Sequence, residues 1–388
     1  MVRALGIDPG TRSFDLALID GNKVVWEKSI DTVEVAENPE VLVRAVEETG
    51  DVNIIAGPSG YGVPLTFNED IVDPRRFALE VILLTREEDL REGIASGELG
   101  IKVYEAITKV VVEFWEKRLP VCYIPSSILL PTIPSYRKVN KLDMGTADKM
   151  AIAVLGVYDQ SRRLGIGYNE VSFILLEMGF GYNAVLGVKN GRIVDGLGGT
   201  LISTGFLTVG PLDAEIAVMS KRWVRSDVFH GGIADICKTL DFDEVIKGYK
   251  AGEEPYKTAL EAFLDGIRKG VAAVSASVGE VKEILVSGRN SRNQELMKLI
   301  TEFIGDIAPV RNISLLEGAK ISKEAAQGYA MVAEGISGGI FSDLIEHMRI
   351  KEAKGTVLDY VYHPRLIEAK EWLRNAYISS VKNPKLNP

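Results

Sequence analysis

Three stretches of this chain bring together the residue types that hold phosphate. The first is Asp8-Pro9-Gly10-Thr11-Arg12-Ser13. A tight glycine turn exposes backbone N–H groups, and such a concavity suits phosphate oxygens. Gly10 permits close approach to the backbone. Thr11 and Ser13 add hydroxyls, and Arg12 adds a planar fork of donors. Asp8 can take Mg2+, directly or through water, because that ion favours a few carboxylates together with phosphate and waters. Taken alone, this stretch also reads as an ordinary hairpin with a solvated acid. The second stretch runs Glu177-Met178-Gly179-Phe180-Gly181-Tyr182-Asn183 and repeats the acid and the glycines. The third, Ser287-Gly288-Arg289, closes an apolar run and leaves backbone room beside a nucleotide.

Other motifs fall away on inspection. Gly179 to Ala184 spells a dinucleotide fingerprint, but that fingerprint needs a helix behind it. The residues that follow read as strand and hairpin. No GxxxxGK[ST] string occurs. The three histidines, His230, His347 and His363, are scattered, and Cys122 and Cys237 form no paired motif.

Two groups of side chains suit an acceptor. Arg137, Lys138 and Lys141 lie on a stretch with prolines at 125, 131 and 134. They suit an anionic acceptor, and they also read as a solvated basic stretch. A carboxylate is already ionised at neutral pH and asks for cations rather than a base. An alcohol would want an aspartate instead. Asp148 stands in Gly145-Thr146-Ala147-Asp148-Lys149, at the first turn of an expected helix, with Asp143 a second choice. An acid at that position is equally favoured by the helix dipole alone.

The elements that must position these residues repeat. Residues 4–8, 14–18 and 23–30 read as three strands, the latter two joined by the turn Asp20-Gly21-Asn22. Helix is expected over 39–49, 86–96, 100–118 and 146–163, with short strands at 52–56 and 121–124 and a loop over 125–141. A second strand-rich start covers 171–177, 182–188 and 192–195, with the turn Asn190-Gly191. A long helix over 255–278, a strand at 283–286, helices over 291–304 and 323–336, and a helical, finally fraying C-terminus follow. Asp8 and Gly21 are 13 residues apart, and Glu177 and Gly191 are 14 apart. The two halves read as an internal duplication.

With 388 residues, two domains are expected. The net charge of −9 argues against a general nucleic-acid partner without excluding a local anion site. No apolar run approaches the ~20 residues of a membrane span. Nor does the beginning carry the three-part signature of a signal peptide. A cytoplasmic protein is expected, with no nucleic-acid or membrane partner.

At the three glycine stretches the sequence resembles the acetate kinase, sugar kinase, actin and heat-shock ATPase superfamily. Lys189-Asn190-Gly191-Arg192-Ile193-Val194-Asp195, the Gly210-Pro211-Leu212 loop and Leu316-Glu317-Gly318-Ala319 look like butyrate kinase motifs. The chain as a whole resembles the archaeal family described as predicted butyrate kinases. Gly145 to Lys149 resembles the site where type III pantothenate kinases contact substrate.

The resemblance implies an α/β fold of two ribonuclease H-like lobes, each βββαβαβα, with an ATP cleft between them. The lobes are expected at 1–165 and 166–345, the second with a helical insertion near 212–278, and a helical extension at 346–388. ATP and Mg2+ are the implied cofactors. Asp8, Asp148, Glu177 and Arg12 are the catalytic candidates, and Asp8 and Glu177 manage the metal. Gly10, Thr11, Ser13, Gly179, Gly181, Asn183, Ser287, Gly288 and Arg289 would hold nucleotide, while Arg137, Lys141 and Asp143 would hold substrate. Two departures stand out: Glu177 occupies the place of a histidine near the transferring phosphoryl group, and Asp8 that of a common Asn. A small carboxylate is the favoured substrate, with direct in-line transfer giving an acyl phosphate. An ATP-driven conformational switch and an alcohol kinase stay open, as does a homodimer.

Overall fold

The computed structural model describes residues 2–96, 99–220 and 222–387. Two sheets organise it. The first contains β1 (Arg3–Pro9), β2 (Ser13–Asp20), β3 (Lys23–Asp31), β4 (Ile54–Ala56), β5 (Thr66–Phe67) and β6 (Val121–Tyr123), in the order β3-β2-β1-β4-β6-β5. The second contains β7 (Ser172–Met178), β8 (Asn183–Lys189), β9 (Arg192–Leu197), β10 (Glu283–Ser287) and β11 (Val310–Asn312), in the order β11-β10-β7-β8-β9.

The duplication expected from the two glycine starts is present in the topology. In each half three antiparallel strands come first, β1-β2-β3 and β7-β8-β9. Two parallel strands then extend the sheet on the other side of the first strand, β4 and β6 in one half, β10 and β11 in the other. Tight turns suffice for the antiparallel strands, whereas each parallel strand needs a crossover. This is the two-lobe α/β fold expected for the superfamily.

Four helices matter for the site: α1 (Leu99–Glu116), α2 (Ala147–Leu164), α3 (Tyr256–Val278) and α4 (Glu324–Ile336). Helix α1 covers the outer face of the first sheet, burying Ile107, Val110, Val111 and Phe114 with Leu5, Ile7 and Leu16. Helix α3 covers the outer face of the second, with Phe263, Ile267 and Val271 against Ile174 and Leu176. The alternation of Leu5 and Ile7 with Ala4, which faces the opposite core, follows the two-residue pleat.

Between the sheets lie α2 and α4, packed on each other and sharing one core with both sheets. Each reaches the sheet of the other half. Helix α4, late in the chain, packs on β1, β2 and β4. At Gly6 a Cβ would stand 2.0 Å from the Ala326 carbonyl oxygen, so only glycine admits that approach. Helix α2 contacts β7 and β8, and a Cβ on Gly156 would stand 2.7 Å from the Phe173 ring. The two helices meet where a Cβ on Gly328 would lie 2.1 Å from the Ala151 carbonyl oxygen.

Several local expectations are corrected. The loop at 125–141 contains a short helix, Ser135–Lys138. In the helix-rich stretch after 212, short helices at Ala214–Met219, Ile233–Cys237 and Phe242–Ala251 precede α3, and α3 is itself the crossover from β9 to β10. The C-terminus does not fray. Helix Ile367–Ser380 returns to the first-sheet core through Ala376 and Tyr377. Beyond it Val381 bridges Ile71, and the Lys382 N–H donates to the Asp70 carbonyl at 2.8 Å. No helix among the described residues is long and apolar enough to cross a membrane.

Candidate functional site

The first turn joins β1 to β2. Because the two strands pair from Asp8–Asp15 and Pro9–Phe14, residues 10–12 are left as the connecting tip. Thr32 braces that tip: its hydroxyl donates to the Gly10 carbonyl at 2.8 Å and its N–H to the Arg12 carbonyl at 3.0 Å. The second turn joins β7 to β8, where Met178 pairs with Asn183 and residues 179–182 form the tip. The two tips face each other. Thr11 Oγ1 lies 3.8 Å from the place a Cβ would take on Gly181. Arg12 sits over the Phe180 ring, 5.3 Å from its centroid.

The third turn closes against the second. Gly288 has φ +89°, and a Cβ there would meet the Met178 carbonyl at 2.5 Å and Glu177 Oε1 at 2.6 Å. Asn290 donates to the Gly179 carbonyl at 2.7 Å. Arg289 has its pKa lowered, first by partial desolvation and then by Arg12. Two guanidinium groups from different halves thus repel each other at the mouth of the cleft, an arrangement relieved by an anion between them.

Below this rim lie carboxylates and two lysines. Lys323, which precedes α4, contacts Asp15 Oδ2 at 2.6 Å and Asp8 Oδ2 at 3.9 Å. Lys149, in the first turn of α2, contacts Asp148 Oδ2 at 2.5 Å and Glu177 Oε2 at 3.6 Å. The start of α2 is fixed from the first half, where the Gly60 carbonyl accepts from the Ala147 N–H at 3.2 Å. Burial pushes Asp8 up to about 7 against the pull of Lys323, and pushes Glu177 up to about 7 against that of Lys149. Asp148 has the opposite balance. Desolvation opposes its charge, but Lys149 and the Thr146 hydroxyl hold its pKa below the ordinary carboxylate value. Asp143 is raised by burial, and the Gly145 N–H at 2.8 Å and Lys149 partly offset it.

Asp8, Asp15, Asp148 and Glu177, with Asp143 and Glu324 beside them, outnumber the two ammonium groups. Burial and this excess favour the protonated form, which is the physical content of pKa values near 7 at Asp8 and Glu177. A divalent cation would offset part of the excess instead. Among the described residues no three His, Cys, Asp or Glu side chains gather into a metal cage. Mg2+ takes one or two carboxylates and completes its shell with phosphate and water. Three buried polar atoms of the expected site residues have no hydrogen-bond partner: Glu177 Oε2, Asn183 Oδ1 and Ser287 Oγ. Orphan buried polar atoms call for an explanation, and a ligand is one.

The structure therefore brings Asp8, Gly10, Thr11, Arg12, Ser13, Glu177, Gly179, Gly181, Gly288 and Arg289 together where the two halves meet, with Asp148 and Asp143 beside Lys149. Asn183 opens β8 and donates to Ser203 Oγ at 2.8 Å. Arg137 and Lys141 are engaged elsewhere. Arg137 donates to the Val194 carbonyl at 2.8 Å, and Lys141 to the Arg137 carbonyl at 2.6 Å. Lys138 is buried against the Leu130 carbonyl and the Tyr360 ring.

Four polar residues of the cleft escaped the sequence reading: Asp15, Lys149, Lys323 and Glu324. The last accepts from the Gly288 N–H and is itself raised by burial. Lys149 was adjacent to a chosen aspartate and could have been found as its counter-charge. Lys323 carried no local signal, since only the packing of α4 on the first sheet brings it to Asp8.

A family model described as protein of unknown function (DUF1464) matches residues 6–363. A probable butyrate kinase 2 from Caldanaerobacter subterraneus is 24% identical over 342 residues, covering 80% of this chain and 92% of that protein. Butyrate kinase 1 from Clostridium acetobutylicum is 22% identical over 350 residues, with the same coverage, 80% and 92%. Among solved structures, a propionate kinase from Francisella tularensis superposes with a TM-score of 0.57 at 13% identity, covering 85% of this chain and 98% of that one.

Proposed function

We propose, from the premise that this chain belongs to the DUF1464 family, that it is an ATP- and Mg2+-dependent phosphotransferase whose acceptor is a small carboxylate. Its similarity to butyrate kinases over most of its length supports a kinase of carboxylates at the level of the wider group. The observation that carries the reading is the facing of two glycine turns, at Thr11 and Gly181, beside the buried carboxylates Asp8 and Glu177. The two halves, 1–165 and 166–345, act as the closing lobes in this reading, with 346–388 appended to the first.

Bound in that cleft, ATP and Mg2+ would supply the phosphoryl group and the charge that draws electrons from it. Asp8 and Glu177 would hold the cation, giving up the protons that burial lets them keep. The N–H groups of the turns at 10–13 and 179–181 would line the phosphates, and Ser287 and Gly288 would border the nucleoside. Arg12 and Arg289 would neutralise phosphate charge from opposite sides. Lys149 and Lys323 would stand ready for the charge that develops on the transferring group, since such a reaction depends on positioning and charge neutralisation. Asp148, held ionised by Lys149 and Thr146, orients Lys149 in this scheme. A carboxylate acceptor attacks without a general base and yields an acyl phosphate. Lobe closure would keep water from competing.

One observation favours a second reading. Glu177, raised to about 7 by burial, with Oε2 3.6 Å from Lys149 and accepting no hydrogen bond, has the properties of a base for an alcohol acceptor. Hydroxylamine separates the two. ADP release is measured over a panel of short acids and alcohols, with and without hydroxylamine. A carboxylate kinase gives a hydroxamate with one of the acids. ADP release with an alcohol and no hydroxamate supports the second reading. Slow ATP hydrolysis that no acceptor accelerates overturns both in favour of an ATP-driven switch.

A further inference from the structure

A cavity of about 370 Å³ lies between the β2–β3 turn, the last turns of α2 and the segment 314–317, lined by none of the residues at the glycine turns. Its lining comes from both halves of the chain. Asn22 belongs to the first sheet's hairpin, Tyr158 and Arg162 to α2, and Leu315 and Leu316 to the segment that follows β11.

The charges in this wall are unequally committed. Asp159 is taken by Arg163 at 3.8 Å, by Arg311 at 3.5 Å and by the Ser314 N–H at 3.4 Å. Glu317 is paired with Lys23 at 2.7 Å. Arg163 is bound to Glu283 as well as Asp159. Arg162 differs: it donates to the Tyr158 hydroxyl at 2.7 Å, lies over the face of the same ring, and feels the Glu317 carboxylate only through its charge. The Asn22 amide donates to that hydroxyl too, at 3.4 Å. The Tyr158 oxygen therefore accepts from two sides, and its own proton is left to donate. Three donors, Arg162, Asn22 and Tyr158, converge on one cavity whose acids, Asp159 and Glu317, are each ion-paired with another cation. Leu315 and Leu316 give the same cavity an apolar wall.

We infer that this cavity is a binding site for a small anion, a carboxylate or a phosphate, bound through Arg162, Asn22 and Tyr158 with any short apolar body against Leu315. Planar carboxylate or phosphate oxygens match the guanidinium fork. The inference does not depend on the cleft's chemistry. The site nevertheless stands on elements that serve the cleft. Helix α2 carries Lys149 at its other end, and the segment from 314 runs on to Lys323, held on the way by Glu27, which accepts from the N–H groups of Lys320, Ile321 and Ser322.

The test is calorimetric titration of inorganic phosphate, and separately of butyrate, into the full-length wild type, Arg162→Gln and Leu315→Trp. Thermal melting serves as the fold control. Arg162 and Leu315 are both exposed, so neither change is expected to lower Tm appreciably. One anion should lose roughly tenfold or more in affinity in both variants. Loss for phosphate alone identifies a phosphate ligand, and loss for butyrate alone a carboxylate. Should Arg162→Gln melt early, Leu315→Trp, which fills the cavity, decides alone. Titrations that are unchanged from wild type for both anions, in every folded variant, overturn the site.

Discussion

Thr11 and Gly181 are 170 positions apart in the chain, yet the threonine hydroxyl stands 3.8 Å from where a Gly181 side chain would begin. The gap between them is the narrowest statement of how the halves cooperate. Each tip is an ordinary hairpin connection, and only their opposition makes a cleft. That opposition follows from α2 and α4, each of which starts beside the cleft and packs on the sheet of the other half.

The gap predicts a size series. At Gly181 the nearest neighbours of a Cβ would be Leu207 at 3.7 Å and Thr11 at 3.8 Å, ordinary van der Waals distances, so Gly181→Ala should fold and bind ADP almost as well as wild type. Gly181→Leu would occupy the space between the tips. Its ADP affinity should fall roughly tenfold or more, about 1.4 kcal/mol, with Tm little changed. Equal affinity in all three proteins would place the nucleotide elsewhere.

The buried acids predict how stability and binding vary with pH. Asp8 rises from an ordinary 3.8 to about 7, and Glu177 from 4.5 to about 7, chiefly through burial. Between about pH 4 and 7 the folded protein therefore holds more protons on these groups than the unfolded chain, and stability falls as pH rises. Above 7 the cost is complete. Asp8→Asn and Glu177→Gln should each raise Tm at pH 8 and leave it nearly unchanged at pH 4, the gain being on the order of one to a few kcal/mol. A bound divalent cation needs both acids ionised, so Mg·ADP should bind more tightly at pH 8 than at pH 6 and release protons. Lys323 lowers Asp8, so Lys323→Met should move that dependence to higher pH. Calorimetry in two buffers of different ionisation heat reads the proton count, and a flat profile would contradict the metal assignment.

Lys149 predicts a double-mutant result. It is the shared counter-charge of Asp148 and Glu177, and removing it strands both. Lys149→Met should destabilise the protein by about 3–5 kcal/mol at neutral pH. Adding Asp148→Asn should recover much of that loss, because the stranded charge goes with it. Denaturant unfolding of the two single variants and the double variant measures the coupling. Strict additivity would mean that Lys149 and Asp148 stabilise the fold independently.

Much of this arrangement was legible in the chain. The strand–turn–strand starts at Asp8 and Glu177, with matching spacings to Gly21 and Gly191, announced the duplicated sheets. The glycines at 10, 179, 181 and 288 marked the turns that meet. Periodicity could not show that α4 leaves its own half for the first sheet. That step depends on Gly6 and Gly328 admitting backbone to within contact, and each looks like any other glycine in a strand or helix. Lys323 and Glu324 were missed for that reason. Arg137 and Lys141 look free in sequence, on a basic, proline-rich stretch, whereas in the structure they donate to backbone carbonyls.

In the proposed function both glycine turns grip one nucleotide. Amide hydrogen exchange on the full chain, with and without ATP and Mg2+, tests it most directly. Residues 10–13, 179–182 and 287–289 should all gain protection together, and Asp8→Ala should abolish the part of that gain that depends on Mg2+. Protection of one turn without the other, or of neither, would contradict it.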